Sequence, residues 1–185
     1  AQTINGNIGS SITTDVNVLN IGESGVSSKY STVTVNGDIF ANSTVLNNGT
    51  GSSTLILTDG KNITSTITTA DSNMGILNLL GTSTVSGQVG TDLKKLANVN
   101  AGADGKIGTF NSDVYATNLN VIGTGTVNLD GSYKGTSLNY NADGSVNLAD
   151  GKNITAAVTT STNNTGTLNL LGTSTVSGQV GTDLK

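Results

Sequence analysis

The stretch LNLLGTSTVSGQVGTDLK occurs twice in the 185-residue chain, from Leu77 to Lys94 and again from Leu168 to Lys185. The two copies are identical at every position. They contain no His, Cys, Arg, Tyr or Trp, and therefore few of the side chains that supply nucleophiles or general bases. Exact duplication of such a stretch indicates a repeated structural unit, and an active site would need other residues.

The repeat extends upstream of the quoted stretch. Asp59–Lys94 aligns with Asp150–Lys185 at a constant offset of 91, with 28 identities in 36 positions. A weaker related copy lies near residues 5–57, where DIFAN at Asp38–Asn42 is similar to DVYAT at Asp113–Thr117. We therefore treat residues 1–185 as a single repetitive domain. The second copy stops at Lys185 and the chain begins without Met, so we expect a fragment of a longer repetitive protein.

Short alternations of apolar and polar residues indicate strands with one buried face. Examples are Thr32–Val35, Leu77–Leu79, Leu119–Val121 and Val146–Leu148. Asn-Gly and Asp-Gly pairs between them predict turns. The best helical candidate, Thr91–Asn98, is short, so we expect few helices or none.

Many short strands combined with a long internal repeat favour a β-solenoid over a sandwich. In a solenoid each strand pairs with its equivalent one coil away, so Asn and Thr form side-chain ladders. The predicted fold class is therefore all-β, a parallel β-helix with irregular loops. With roughly 20–25 residues per coil, the 91-residue offset corresponds to about four coils. The segment from Lys94 to Asp113 departs from the simple repeat and is one candidate, not ranked above other loops, for a protruding binding surface.

The composition narrows the function classes. Thr, Gly, Asn and Ser account for 99 of the 185 residues, and only 11% of residues are charged. The net charge is -4 and the pI is about 4.4. Nucleic-acid binding is not expected, because it requires a basic surface that releases counterions from phosphates. No apolar run approaches the length that a membrane-spanning helix needs, so this segment is not expected to insert into a membrane.

The sequence offers little for catalysis or metal binding. Without His or Cys, nucleophile systems that depend on them are excluded and a zinc site is not expected. Asp59 and Asp150 each precede Gly and are interpreted as turn residues. Calcium ligands are conceivable at Asp104-Gly105 and 141–144, but neither shows a known calcium-loop spacing. We predict that the protein is not an enzyme and has no cofactor, metal site or catalytic residue.

One family resemblance covers the whole chain. The runs TLNLLGTSTVSGQVGTDLK, NADGSVNLADGKNIT and, most specifically, the run at Gly81–Phe110 resemble the passenger region of the rickettsial outer-membrane protein B, or surface cell antigen, family of autotransporters. The resemblance implies a right-handed parallel β-helix that is exported, threaded through the parent chain's own C-terminal membrane barrel and displayed on the bacterial surface. It also implies a structural coat with roles in adhesion to host cells and in their invasion.

The family's lysines are methylation targets, so the resemblance implies lysine methyltransferases as partners. The candidate positions are all eight lysines of the chain: Lys29, Lys61, Lys94, Lys95, Lys106, Lys134, Lys152 and Lys185. The simpler interpretation is that they are solvated charges that keep a weakly charged rod soluble.

Three functions therefore remain open. The leading hypothesis is a surface-exposed passenger segment that acts as coat and adhesin and binds a host-cell surface protein. The second is an inert stalk that only holds other domains away from the membrane. The third is a polysaccharide-processing β-helix enzyme, which a cleft holding two or more close carboxylates would favour.

Overall fold

The computed structural model describes residues 1–10, 15–23, 30–46 and 51–181. These residues contain seventeen strands and no helix. The strands are β1 (Gln2–Ile4), β2 (Val16–Ile21), β3 (Thr32–Val35), β4 (Ile39–Leu46), β5 (Thr54–Leu57), β6 (Ile63–Thr69), β7 (Met74–Leu79), β8 (Ser83–Val85), β9 (Leu96–Ala101), β10 (Ile107–Phe110), β11 (Val114–Val121), β12 (Thr126–Leu129), β13 (Tyr133–Tyr140), β14 (Ser145–Leu148), β15 (Asn153–Thr160), β16 (Thr167–Leu170) and β17 (Thr175–Val176).

All pairing between these strands is parallel. The odd-numbered strands form one nine-stranded sheet from β1 to β17, and the even-numbered strands form an eight-stranded sheet from β2 to β16. Each strand pairs with the strand two elements away, one turn of the chain earlier or later. This arrangement is a β-solenoid, and it confirms the fold class predicted from the short alternations and the repeat.

Inward-facing residues, nearly all of them apolar, stack in three columns inside the solenoid, and each column defines one face. Face 1 is the column Val33, Leu55, Leu77, Val99, Leu119, Leu138, Val158 and Val180. Face 2 is the column Ile39, Ile63, Val85, Phe110, Leu129, Leu148 and Leu170. Face 3 is the column Leu19, Thr44, Ile67, Val89, Val114, Tyr133, Ile154 and Val176. From Val33 to Val180 the chain makes seven turns of about the predicted length.

The chain alternates between a short strand and a longer one. In β3–β4 a four-residue strand on face 1 is followed by an eight-residue strand that runs from face 2 onto face 3. The long strand changes face at a bulge, where the register shifts between Phe40 and Ser43. In β12–β13 the same unit recurs, but the short strand lies on face 2 and the bulge falls between Lys134 and Ser137.

The two copies of the repeat therefore occupy different faces. Leu77 of the first copy lies on face 1. Four turns later face 1 is occupied by Val158, and Leu168, the repeat equivalent of Leu77, lies on the next face, face 2. The 91-residue offset is thus four turns plus one face, slightly more than the predicted four coils. The shift arises at β7, β8 and β9. None of these three strands is a long strand that continues from one face onto the next, and the short–long alternation resumes after them.

The described residues contain no helix, as expected, and two candidate features in the middle of the chain are strands in the structure. The helical candidate Thr91–Asn98 is a corner followed by strand β9, because Leu96 pairs with Met74 of the coil below and is fully buried. The candidate protrusion from Lys94 to Asp113 consists largely of β9 and β10, which pair within the sheets. This segment lies where the order of short and long strands changes, between the long strands β6 and β11.

Close backbone approaches account for glycines within the identical stretch. A Cβ atom at Gly87 would lie 2.1 Å from the Ser65 carbonyl oxygen, and one at its equivalent Gly178 would lie 2.0 Å from the Ala156 carbonyl oxygen. Only glycine allows the neighbouring coils to approach so closely. The copies therefore keep the same glycines although they lie on different faces.

The duplicated stretch allows a test of one buried hydroxyl. Ser83 is buried, and its Oγ has no hydrogen-bond partner among the described residues, whereas the equivalent Ser174 donates to the Ala149 and Leu171 carbonyl oxygens at 2.7 Å each. Because an unpaired buried hydroxyl is destabilising, Ser83→Ala should raise the free energy of unfolding by about 1 kcal/mol. Ser174→Ala should lower it. Urea unfolding of both variants measures the difference, and a loss of stability in Ser83→Ala would contradict the expectation.

Candidate interaction surface

The outer side of face 1 carries a ladder of asparagine side chains. Asn100 Nδ2 donates to Asn78 Oδ1 at 2.6 Å, and Asn120 Nδ2 donates to Asn100 Oδ1 at 2.7 Å. Asn139 continues the ladder, and the Thr159 hydroxyl donates to Asn139 Oδ1. The predicted Asn and Thr ladders are therefore present, and they cover part of the outer surface with paired amides.

Face 2 carries a second ladder of the same polarity. Asn147 Nδ2 donates to Asn128 Oδ1 at 2.8 Å, and Asn169 Nδ2 donates to Asn147 Oδ1 at 2.7 Å. In both ladders each Asn–Asn bond runs from the later coil to the earlier one. Asn78 and Asn169 are repeat equivalents, yet they belong to ladders on different faces because of the one-face shift.

Asp side chains hold the corners of successive coils together. Asp59 Oδ1 accepts a hydrogen bond from the Thr82 N–H at 2.7 Å, and its equivalent Asp150 accepts one from the Thr173 N–H at 2.7 Å. Asp104 and Asp143, the calcium candidates, make the same kind of contact to later corners. Within the described ranges no group of three or more His, Cys, Asp or Glu could hold a metal ion.

The described lysines either form an ion pair with an aspartate or form none. Lys106 Nζ lies 2.6 Å from Asp59 Oδ2, and Lys134 Nζ lies 2.7 Å from Asp92 Oδ2. Lys95 approaches Asp92 more loosely, at 3.9 Å. Lys61, Lys94 and Lys152 form no ion pair with any described residue, and Lys29 and Lys185 lie outside the described residues.

Hydrogen bonds from lysines or from the backbone lower the pKa of three exposed carboxyl groups. The hydrogen bond from Lys106 lowers the pKa of Asp59, and the hydrogen bond from Lys134 lowers that of Asp92. For Asp150 the main cause is the hydrogen bond from the Thr173 backbone. In each case the folded chain favours the ionised form, so these groups stabilise the fold when they are deprotonated.

The stability of the chain should therefore fall in acid. A carboxyl group with a lowered folded pKa stabilises the fold above its ordinary pKa, near 3.8, and loses that contribution as the pH falls through the folded value. We expect a shallower loss below about pH 4 when Asp59, Asp92 and Asp150 are all changed to Asn, because Asn keeps the acceptor oxygen but not the charge. Urea unfolding between pH 2 and 7 measures both profiles. Parallel profiles would contradict this account.

One polar cleft of about 320 Å³ lies on the corners between faces 2 and 3. Two carboxylates line it, those of Asp113 and Asp130, together with Lys152 and Gln88. This cleft could not be predicted from the sequence, because its residues are distant along the chain and meet only through the stacking of coils. Asp113 already holds the next corner, since its Oδ1 accepts the Ser132 N–H at 2.8 Å.

The corner after Val89 carries the most exposed large apolar side chain of the described surface. Leu93 is 87% exposed and stands between Asp92 and Lys94. The corner is closed by two backbone hydrogen bonds, from the Thr91 N–H to the Lys94 carbonyl oxygen and in the reverse direction. The corner is therefore a closed turn that carries an exposed leucine between Asp92, which pairs with Lys134, and Lys94.

Comparison with known proteins yields no relative. The sequence matches no protein-family model, and no significant match was found among curated proteins or solved structures. Within the described residues, no helix has the length and apolar character needed to cross a membrane. The described surface offers amides, hydroxyls, a few ion pairs and several exposed leucines, of which Leu93 is the most exposed.

Proposed function

We propose that this chain is a segment of a surface-displayed autotransporter passenger, located on the outer face of a bacterial outer membrane, where it acts as a structural coat and as an adhesin toward host cells. The observation that carries the proposal is the continuous solenoid with polar ladders on two faces. Such a rod needs no disulfide or metal, and each coil is stabilised by the coils on either side. The resemblance of Gly81–Phe110 to the surface cell antigen family supports the same assignment.

Adhesion requires surface that is not used to hold the coils together. The ladder amides are paired with each other and offer few free groups. The Leu93 side chain is 87% exposed at the tip of a closed corner and takes no part in the ladders, although Asp92 beside it pairs with Lys134. We therefore assign the adhesive contact to this corner.

The proposal is tested by binding the purified chain to host cells, with an unrelated β-helix as the control protein. Saturable binding that unlabelled chain competes away is expected, and Leu93→Ser should reduce it at least about tenfold if this corner carries the contact. Leu80→Ser, at another exposed corner, is the matched control. Binding no greater than that of the control protein would favour an inert stalk, which is the first alternative.

A second alternative is polysaccharide processing, for which Asp113 and Asp130, the two carboxylates that line the polar cleft, are the candidate groups. The class of reaction would be glycosidic-bond cleavage by two carboxyl groups. Release of new reducing ends from polysaccharides, abolished by Asp130→Asn, would establish it. No release from a broad panel would leave the cleft without a catalytic role.

Lysine methylation is part of the proposal, and the ion pairs predict which lysines carry more methyl groups. Methyl groups on an amine reduce its capacity to donate hydrogen bonds. Lys61, Lys94 and Lys152 have no competing partner among the described residues, whereas Lys106 and Lys134 are held at 2.6 and 2.7 Å. Mass spectrometry of protein from its native cell should therefore find higher methyl occupancy at the first group. Uniformly unmodified lysines would refute methylation, and equal occupancy in both groups would refute the role of the ion pairs.

A further inference from the structure

The polar cleft on the corners between faces 2 and 3 lies within the stack of coils and away from its ends. Its residues come from four consecutive coils, from Gln88 in the first to Lys152 in the last. Described coils continue on both sides, since the Ile67 N–H donates to the Gln88 carbonyl oxygen at 2.8 Å and the Thr175 N–H donates to the Lys152 carbonyl oxygen at 3.2 Å. The cleft is therefore a feature of the folded stack itself.

We attribute the recess to a step in the length of successive corners. Three residues connect the face 2 column to the face 3 column at 86–88, 111–113 and 130–132. In the next coil the same connection takes five residues, 149–153. Lys152 belongs to this longer corner, and its side chain lines the cleft together with residues of the three shorter corners.

The cleft contains polar groups that the fold leaves unpaired. Neither the Asp130 carboxylate nor the Lys152 ammonium forms a hydrogen bond or an ion pair with any described residue. Asn111 adds an exposed amide, and Gln88 adds an amide whose Nε2 donates to the Gly90 carbonyl oxygen at 2.8 Å. The cleft therefore has donors and acceptors that no contact within the fold uses.

Other residues of the cleft are fixed by hydrogen bonds within the fold. Asp113 Oδ1 accepts the Ser132 N–H at 2.8 Å, and its Oδ2 accepts the Tyr115 hydroxyl at 3.5 Å. The Ser112 hydroxyl donates to the Ser86 carbonyl oxygen at 2.9 Å. A ligand would therefore meet a preformed surface, which reduces the entropy cost of binding.

The lining residues determine the class of ligand. None of them has an apolar side chain, so a lipid or an apolar peptide would gain little there. Two carboxylates disfavour an anion, and the ammonium beside them disfavours a divalent cation. The hydroxyls of a neutral saccharide fit, because they donate to a carboxylate and accept from an ammonium or an amide. A volume of about 320 Å³ lies at the small end of the range for ligand pockets and suits a single sugar unit.

We propose that this cleft binds the terminal unit of a neutral glycan. The Asp130 carboxylate accepts hydrogen bonds from two adjacent hydroxyls, the Lys152 ammonium donates to a further oxygen of the sugar, and the Asn111 amide bonds to it on the open side. The site lies on a different corner from Leu93 and does not rest on the proposed adhesive function.

The probes are two sets of immobilised oligosaccharides, one ending in neutral hexoses and the other ending in sialic acid. The labelled chain should bind members of the neutral set saturably and should bind the sialylated set more weakly, because sialic acid adds a negative charge. NMR titration of the isotopically labelled chain with a bound neutral oligosaccharide locates the site. Shift changes are expected around Gln88, 111–113, 130–132 and Lys152.

Substitutions separate this site from the rest of the surface. Asp130→Ala and Lys152→Ala should each weaken saccharide binding at least about tenfold, because each removes a charge-assisted hydrogen bond. Neither side chain has a partner in the described fold, so urea unfolding should be unchanged. Lys61→Ala is the matched control, because Lys61 is the repeat equivalent of Lys152 but lies on the corner between faces 1 and 2. Leu93→Ser should also leave saccharide binding unchanged, so failure of the adhesive assignment would not affect this test.

Four results would overturn the proposal. The first is no binding to the neutral set, or stronger binding to the sialylated set. The second is undiminished binding by both Asp130→Ala and Lys152→Ala. The third is shift changes confined to other corners, which would place the saccharide elsewhere. The fourth is release of new reducing ends from the bound oligosaccharide, since the cleft would then be catalytic.

Discussion

Leu79→Ala should lower the free energy of unfolding by about 2–5 kcal/mol, the range for truncating a leucine in a packed core. Leu79 is completely buried on face 1, between Leu57 below and the next coil above. Truncation removes apolar contacts, and the paired strands on both sides prevent the coils from collapsing into the cavity. Equilibrium unfolding in urea, followed by circular dichroism, measures the loss.

The repeat supplies a matched control for this substitution. Leu170 occupies the same position in the identical stretch but is 46% exposed. Leu170→Ala should therefore cost less than about 1 kcal/mol. Equal losses in the two variants would show that the local sequence sets the contribution of this leucine. A larger loss in Leu79→Ala would show that its position in the stack sets the contribution.

The features that depend on neighbouring residues could be predicted from the sequence. Alternation in Leu77-Asn78-Leu79 specifies which side chains face inward, and β7 places Leu77 and Leu79 in the core with Asn78 outside. Asp59-Gly60 predicts a turn, and the structure has one there. Ladders of Asn follow from parallel stacking of equivalent strands, so composition alone indicates them.

The face that each strand occupies could not be predicted from the sequence. A period of two determines whether a residue points in or out, but it does not determine which of three faces the strand occupies. That choice depends on the number of residues in all the preceding corners and strands. The long strands change from faces 2 and 3 to faces 3 and 1 between β6 and β11, and no local pattern in Leu96–Ala101 marks that change. The polar cleft near Asp113 and Asp130 could not be predicted either, because its position also depends on how the preceding corners and strands stack.

This dependence on length leads to an expectation for deletions. Removing residues 111–129 takes out one complete turn, because Phe110 and Leu129 are register partners. Asn139 would then follow Asn100 in the first ladder, and Asn147 would follow Thr109 in the second. Each coil interacts mainly with its neighbours, so the shortened chain should unfold in one transition with a midpoint lowered by no more than about 10 °C.

A smaller deletion should be far more damaging than this larger one. The turn from Phe110 to Leu129 is already among the shortest along face 2. Removing Val114–Asn120 takes away most of strand β11, which carries the chain across face 3 and face 1 in this turn. The remaining chain is too short to pass around three faces, so β12 cannot return to its place above β10. Residues 130–181 should then lose amide-exchange protection by at least about tenfold, while coils before Phe110 keep theirs. Protection retained throughout the chain after this smaller deletion would mean that corners, and not whole turns, absorb changes in length.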